Sequence, residues 1–313
     1  MGLGAVLRRV AAGGEPTGQE VAALAAALLE EPCQGEVFGL TAPSAREEAG
    51  QRLRRLPRAR RAVGHAVEAA GYDEPVRWSA EELVRYHLPL AGLLAWRAGQ
   101  ARGRYRVAVA GVPGCGKTVF AAVLARVVEA LEPPFGAIVL GLDGYHYPNA
   151  YLASRAGEGG PLLRYKGAPS TFDTARLAAD LRRLGRGEGP LALPAYDRTL
   201  HEPVEGRIVA GRRDRLVLVE GNYLLCRDGP WHQVAEQFEL RLFLDFPPQA
   251  NREPVVARHV RGGRSAADAA RHYERVDRPN AELAASTRGA ADLVVELDAR
   301  HAVRGLRRAE ARP

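Results

Sequence analysis

Gly111-Val112-Pro113-Gly114-Cys115-Gly116-Lys117-Thr118 fits the spacing G-x-x-x-x-G-K-[ST], whose chemistry is the holding of a triphosphate. The glycines let the backbone turn tightly and aim its N–H groups at phosphate oxygens. A helix N-terminus behind the loop adds partial positive charge at the same place. Lys117 is placed to reach the outer phosphates, and the Thr118 hydroxyl to ligate Mg²⁺. The nucleotide set is Gly111, Gly114, Cys115, Gly116, Lys117, Thr118 and Val119, and the expected cofactors are ATP and Mg²⁺. Two acidic residues end apolar runs further on: Asp143 after Ala137 to Leu142, and Glu220 after Arg215 to Val219. Phosphoryl transfer needs a carboxylate to take the acceptor's proton and oxygen ligands for Mg²⁺. Asp143 is the candidate base and a possible metal contact. Glu220 is the candidate Mg²⁺ ligand.

These groups must be brought together by an α/β scaffold. The alternating run Tyr105 to Ala110 predicts a strand entering the loop, and Val119 to Leu131 predicts the helix leaving it. From there strand-like and helix-like segments alternate, which implies a doubly wound, mainly parallel sheet with helices on both faces. Ala137 to Leu142, Arg215 to Val219, Leu240 to Asp245 and Ala291 to Leu297 are the further strands, the last of these closing the sheet. Thr171 to Leu184 and Gln249 to Val260 are helices. Ligands bind beyond the carboxyl ends of such strands, where Asp143 and Glu220 fall. Asp245 is also at a strand end, but two prolines follow and it reads as structural.

Residues 1–100 read as a helical N-terminal extension to the phosphate-loop α/β domain at 101–313. Gln19 to Glu30 is one helix, Ala45 to Ala70 a second that Pro57 breaks, and Ser79 caps a third that runs to about Gln100 with a kink at Pro89. The arginines 52, 54, 55, 58, 60 and 61 read as a solvated helix face.

Composition narrows the field. All but two of the 44 basic residues are arginine, and neither lysine follows an asparagine, so the guanine-reading N-K-x-D element of common GTPases is absent. The net charge of +7 is spread along the chain with no aromatic-basic RNA motif, so nucleic acid is not the expected partner. No apolar run reaches the ~20 residues of a membrane helix. Glu15 and Glu20 interrupt any export signal after Arg8-Arg9, and the cytoplasm is the expected location. Three scattered cysteines make neither a disulfide framework nor a metal cage. Cys115 reads as a small loop filler.

With these residues in view, the chain resembles the P-loop small-molecule kinases that include uridine kinase, phosphoribulokinase and type I pantothenate kinase. The resemblance covers about Ser79 to Leu297 and is nearest the bacterial fructose-transport-associated kinase-like proteins. Asp143-Gly144-Tyr145-His146 is similar to the element that holds the group's catalytic aspartate. Tyr165 to Asp173, with Lys166-Gly167-Ala168-Pro169, is similar to the KGxPxxxD stretch. Pro194-Ala195-Tyr196-Asp197-Arg198 with His201 resembles the segment beside the acceptor in uridine kinases. Val219-Glu220-Gly221-Asn222-Tyr223 and Asp277-Arg278-Pro279-Asn280 resemble the fructose-transport-associated versions. The resemblance implies Asp143 as general base, Lys117, Thr118 and Glu220 as the ATP–Mg²⁺ set, and Arg258 as the lid arginine over the phosphates. His146, Tyr196, Arg198 and His201 are its candidates for acceptor contact. The implied activity is ATP-dependent phosphorylation of a small-molecule hydroxyl, a nucleoside first and pantothenate or a sugar next. A homodimer is also implied. An ATP-binding regulatory or assembly protein is the alternative.

Overall fold

The computed structural model describes residues 2–69, 72–76, 78–131, 136–157 and 160–310. The chain opens with four helices, α1 (Leu3–Ala11), α2 (Gly18–Leu29), α3 (Pro32–Glu36) and α4 (Ala42–Val63). A hairpin of β1 (Ala66–Ala69) and β2 (Tyr72–Pro75) follows, then α5 (Ala80–Glu82) and α6 (Leu88–Gln100). Strand β3 (Tyr105–Gly111) leads through the glycine loop into α7 (Lys117–Leu131), and β4 (Gly136–Gly141) follows. Then come α8 (Asn149–Ser154), the short pair β5 (Ala156–Gly157) and β6 (Gly160–Pro161), and α9 (Thr174–Gly185). Next are the hairpin β7 (Leu191–Asp197) and β8 (Glu202–Ala210), β9 (Asp214–Gly221), α10 (His232–Ala235) and β10 (Leu240–Asp245). The chain closes with α11 (Arg252–Arg261), α12 (Ala266–His272), α13 (Arg278–Ser286), β11 (Leu293–Leu297) and β12 (Val303–Arg308).

The central sheet runs β12-β11-β10-β3-β9-β4. All neighbours pair in parallel except β12, which pairs antiparallel with β11. Its strands are nearly continuous apolar runs because both faces are covered. Val107 and Val109 of β3 point into one core with Leu216 and Leu218 of β9, while Ala108 and Ala110 point into the other with Val217 and Val219. Helix α7 fills the first face and α9 the second. This is the doubly wound α/β sheet expected from the sequence, with an antiparallel edge that the sequence reading missed. Leu191 to Ala210 was likewise not foreseen as a hairpin.

The N-terminal helices share the first core: Val6, Leu7, Leu24, Leu53, Leu56 and Leu94 are buried in one cluster with Val123, Leu124 and Val127 of α7. Helix α4 corrects the expected break, since it passes through Pro57 without interruption and ends at Val63, well before Ala70. An interior proline costs about 3 kcal/mol. The buried stripe Ala45, Ala49, Leu53, Leu56, Ala59 and Val63 offsets it. Arg52 is a second correction. It is only 2% exposed, whereas Arg54, Arg58 and Arg61 are exposed.

Arg52 is buried because of a proline thirty-seven positions on. The Ser79 capping box opens its helix as expected. Pro89 has no N–H, and its ring crowds the carbonyl four residues back. The helix widens into a π turn over Leu83–His87 before resuming as α6, with the Leu88 N–H donating to the Leu83 carbonyl. Two carbonyls lose their usual donors. Gln34 Nε2 donates to the Arg85 carbonyl at 2.8 Å, Arg52 donates to the Val84 carbonyl at 3.3 Å, and Arg52 also donates to Gln34 Oε1 at 2.7 Å. The buried arginine satisfies backbone that a proline left open.

Candidate functional site

The parallel register brings the chemistry to one edge. Glu220 lies opposite Val109 on one side and Gly141 on the other, and Gly111 lies opposite Leu244. The carboxyl ends of β3, β4 and β9 therefore deliver the glycine loop, Asp143 and Glu220 to the same place. The main-chain geometry there depends on glycine. Gly114 and Gly116 sit at φ +79° and +88°, and a Cβ on Gly114 would come 2.8 Å from Val255 Cγ2. Other elements brace the loop. Asn251 donates to the Pro113 carbonyl, Tyr273 donates to Asn251 at 3.1 Å, and the His301 ring lies 2.9 Å from the Gly114 carbonyl. His301 also stacks on Phe246. Neither Asn251 nor His301 was foreseen, since each acts from more than 130 positions away with no local pattern.

Lys117 is buried, and its ammonium donates to the Val112 carbonyl at 2.8 Å, inside the loop it would leave for a phosphate. The Thr118 hydroxyl donates to Glu220 Oε1 at 3.0 Å. Burial pushes the Glu220 carboxyl above its ordinary pKa and the Asp143 charge adds to that, against the opposing pull of Lys117 and the Thr118 hydrogen bond. A hydroxyl and a carboxylate held together in this way are the hard oxygen donors Mg²⁺ prefers, so the residues fit that ion. Cys115 is fully buried with its thiol pKa raised by desolvation, as befits a filler rather than a reactive thiol.

Asp143 follows β4 in a single 3₁₀ turn, Leu142–Tyr145. Enclosure opposes its ionisation, but Arg198, then His146, Arg258 and Lys117 outweigh it and hold the carboxyl below its usual value. Arg198 is the near partner, 3.1 Å from Oδ2. The walls surround the carboxylate, yet 47% of its side chain stays open to the cavity, so the charge is dressed without being sealed.

The hairpin β7–β8 forms the wall of the cavity on the Asp143 side. Tyr196 presents its ring with Lys166 at 5.0 Å and Arg198 at 5.6 Å from the centroid. Lys166 donates to Asn149 Oδ1 at 2.6 Å and to the His201 carbonyl at 2.7 Å, and His201 sits at φ +53°. His146 packs on Phe172 at 4.0 Å; its Nδ1 lies 2.9 Å from the Asp143 carbonyl oxygen and its buried Nε2 has no partner among the described residues. Burial keeps this imidazole below its ordinary pKa. The Arg258 side chain, on α11, makes no hydrogen bond or ion pair with another described residue. Desolvation and Arg198 lower its pKa, while Asp143, Asp277 and Glu220 pull the other way.

One cavity of about 1250 Å³ is lined by Gly114 to Val119, Asp143, Glu220, Arg258, His146, Tyr196, Arg198 and His201. Of the sequence candidates only Gly111 stays off the lining; it ends β3, where a Cβ would come 2.7 Å from Cys115 Sγ. Lys166 and Asn149 line the cavity too; Lys166 entered the sequence reading within the KGxPxxxD stretch, and neither residue was given a role. The signal for Lys166 was its rarity, as one of two lysines in an arginine-rich chain.

A doubly wound sheet whose central strand feeds a glycine loop, with two strand-end carboxylates in the same cavity, defines a P-loop NTPase fold. The chain belongs to the superfamily of P-loop kinases that holds the uridine and pantothenate kinases. It is 33% identical over 229 residues to the uncharacterized protein YggC of Escherichia coli (strain K12), covering 72% of this chain and 92% of that one. It is 28% identical over 284 residues to a pantothenate kinase of Sorangium cellulosum (strain So ce56), covering 78% of this chain and 89% of the relative. Among solved structures, a candidate fructose transport system kinase from Silicibacter sp. TM1040 superposes with a TM-score of 0.56 at 27% identity, over 63% of this chain and 94% of that one. No family model matches the chain.

Proposed function

We propose that this chain is an ATP-dependent kinase that transfers the γ-phosphoryl group to a hydroxyl of a small metabolite, a nucleoside-type acceptor first and pantothenate or a sugar next. One observation carries the reading: the Asp143 carboxylate, paired with Arg198 at 3.1 Å, opens into the same cavity as Lys117 and the Thr118–Glu220 pair. The loop amides and Lys117 bind the triphosphate, with the ammonium exchanging the Val112 carbonyl for phosphate oxygen. Thr118 and Glu220, joined by Asp143, would hold Mg²⁺, which would supply charge neutralisation of the phosphates. Asp143 orients the acceptor hydroxyl and takes its proton. Arg258, free of partners among the described residues, faces the charge that spreads over the transferring group. His146, Tyr196, Arg198 and His201 position the acceptor against Asp143. Catalysis is then alignment and electrostatics, with no covalent intermediate.

The three cysteines are free, and among the described residues no helix is long and apolar enough to cross a membrane. The test is ADP release from ATP and Mg²⁺ across a panel of nucleosides, pantothenate and simple sugars. Acceptor-dependent ADP with any member supports the reading. Tight ATP binding with no acceptor-dependent turnover across a broad panel favours a nucleotide-gated regulatory protein instead.

A further inference from the structure

A second cluster of ligand-type side chains lies in the wall of the same cavity, on α11, which carries Arg258, and on the α12–α13 segment. His259 of α11, His272 at the end of α12 and Asp277 just before α13 place one ring nitrogen each and one carboxylate oxygen within 4.8 Å of one another. His259 Nε2 lies 2.8 Å from Asp277 Oδ2, and His272 Nε2 lies 3.9 Å from the same oxygen. The two rings meet edge to face at 4.8 Å. His272 and Asp277 are buried and His259 is half-buried.

The sequence shows how this meeting arises. His272 and Asp277 are five apart, and in a regular α-helix side chains at that spacing point about 140° away from each other. Pro279 again forbids the regular turn. The backbone widens into a π turn over Tyr273–Asp277, with the Arg278 N–H donating to the Tyr273 carbonyl. The wider turn carries Asp277 round onto the face of His272, and α11 packs His259 against both. Single π turns inside helices often mark functional positions. The π turn at Leu83–His87 spends its freed carbonyls on Gln34 and Arg52. This one gathers two imidazoles and a carboxylate.

We propose that His259, His272 and Asp277 form a binding site for a divalent transition-metal ion, Zn²⁺ first, with open coordination positions towards the nucleotide cavity. Two imidazoles and one carboxylate suit Zn²⁺ and its first-row neighbours and suit Mg²⁺ poorly, so the site is separate from the Thr118–Glu220 pair. Metal bonds of ~2.0–2.2 Å to such donors need them slightly over 3 Å apart. The His259–Asp277 contact must open by a few tenths of an ångström and the His272–Asp277 contact must close by more. The proton now shared between His259 Nε2 and Asp277 gives way to the cation, and the ring hydrogen moves to Nδ1. His272 is buried with its ring edge to face on His259 and its Nε2 turned to Asp277. An ion here ties α11 to the α12–α13 segment and fixes the backbone of Arg258, the residue next to His259.

The test uses the full chain, stripped with a chelator and kept in millimolar Mg²⁺ so that the nucleotide site is saturated. Calorimetry and metal analysis with Zn²⁺ should give one equivalent bound per chain. Co²⁺ should give visible absorption bands of a site with nitrogen ligands. His272→Ala and Asp277→Asn should each weaken Zn²⁺ binding by at least about a hundredfold, more than loss of a ligand's supporting partner costs. His232→Ala, at an exposed histidine elsewhere, should leave it unchanged. Should either variant fail to fold, the wild-type chain suffices: Zn²⁺ should protect His259 and His272 from diethylpyrocarbonate, read by mass spectrometry. No stoichiometric Zn²⁺, binding untouched by both substitutions, or no protection of the two histidines would each overturn the site.

Discussion

Asp143→Asn is the substitution that most directly tests the proposed chemistry. Asparagine keeps the shape and can still meet Arg198, but it cannot take a proton. Loss of a positioned general base lowers turnover by about 10²–10⁴-fold, or roughly 3–5 kcal/mol of transition-state stabilisation. ATP binding should move the other way or not at all. The Asp143 charge faces Lys117 and Arg258 across the cavity, so removing it leaves more positive potential for the triphosphate. The expected result is a collapse of kcat with an ATP Kd, measured without Mg²⁺, equal to or below that of the wild type. The pH profile adds a sign. Because its neighbours hold Asp143 below its usual value, the acid limb of kcat/KM should lie below ~pH 3.9. Arg198→Gln removes the largest of those pulls and leaves the enclosure that opposes ionisation, so the limb should move to higher pH than in the wild type. Steady-state ADP release and nucleotide titration measure both. Turnover of Asp143→Asn within tenfold of wild type, or ATP affinity lost in step with turnover, would refute the assignment of Asp143 as base.

Glu220→Gln should raise the Mg²⁺ concentration for half-maximal turnover by about tenfold or more, measured by Mg²⁺ titration at saturating ATP, since a neutral amide replaces the carboxylate beside Thr118. Gly114→Ala meets both a positive φ and Val255, and should cost about 1–3 kcal/mol, seen as a lower melting temperature, along with weaker ATP binding. His87 is fully buried against Trp78 with its pKa pushed down to about 4 by desolvation. The unfolded chain therefore binds a proton that the folded one refuses between ~pH 6.5 and 4, so stability is present above ~pH 6.5 and is lost as the pH falls through that window. His87→Gln should flatten this loss, by about 2 kcal/mol at most, in melts at pH 7.5 and pH 5. His272, depressed to a similar value, leaves a residual slope.

The central chemistry was legible because it is local. A glycine loop between a β-branched run and an amphipathic run, and carboxylates directly after buried strands, are signals within a few residues of one another. Asp143 and Glu220 could be assigned to the same edge because parallel strands share a direction. What stayed hidden acts across distance. Asn251 and His301 hold the loop through single hydrogen bonds to the Pro113 and Gly114 carbonyls, and no periodicity announces such a contact. The prolines were legible as irregularities, but their outcome was decided by tertiary packing. Pro57 lies in a helix whose buried stripe holds it intact, Pro89 makes a π turn that Gln34 and Arg52 complete, and Pro279 makes one that collects His272 and Asp277. Arg52 was misread for the same reason, since in sequence it is one of six arginines on a helix, and its buried bonds to the Val84 carbonyl and Gln34 set it apart.

The sharing of one core between residues 1–100 and the sheet leads to a prediction about the helices whose chemistry the sequence left blank. Helices α4 and α6 pack directly on α7, which carries Lys117 and Thr118 at its start. Leu53, Leu56 and Ala59 of α4 and Leu90 and Leu94 of α6 are fully or almost fully buried with Val123, Leu124, Val127 and Val128. Removing residues 1–100 would return the four α7 side chains to water. At about 1.5–3 kcal/mol for each large side chain uncovered, the loss approaches or exceeds the ~5–15 kcal/mol that holds a whole domain together. A fragment of residues 101–313 should therefore lack a cooperative melt and bind ATP far more weakly than the full chain, both measurable by calorimetry. A fragment that melts cooperatively and binds ATP with the affinity of the full chain would show that the N-terminal helices are an appendage. In the expected outcome they are the second wall of the nucleotide-binding helix.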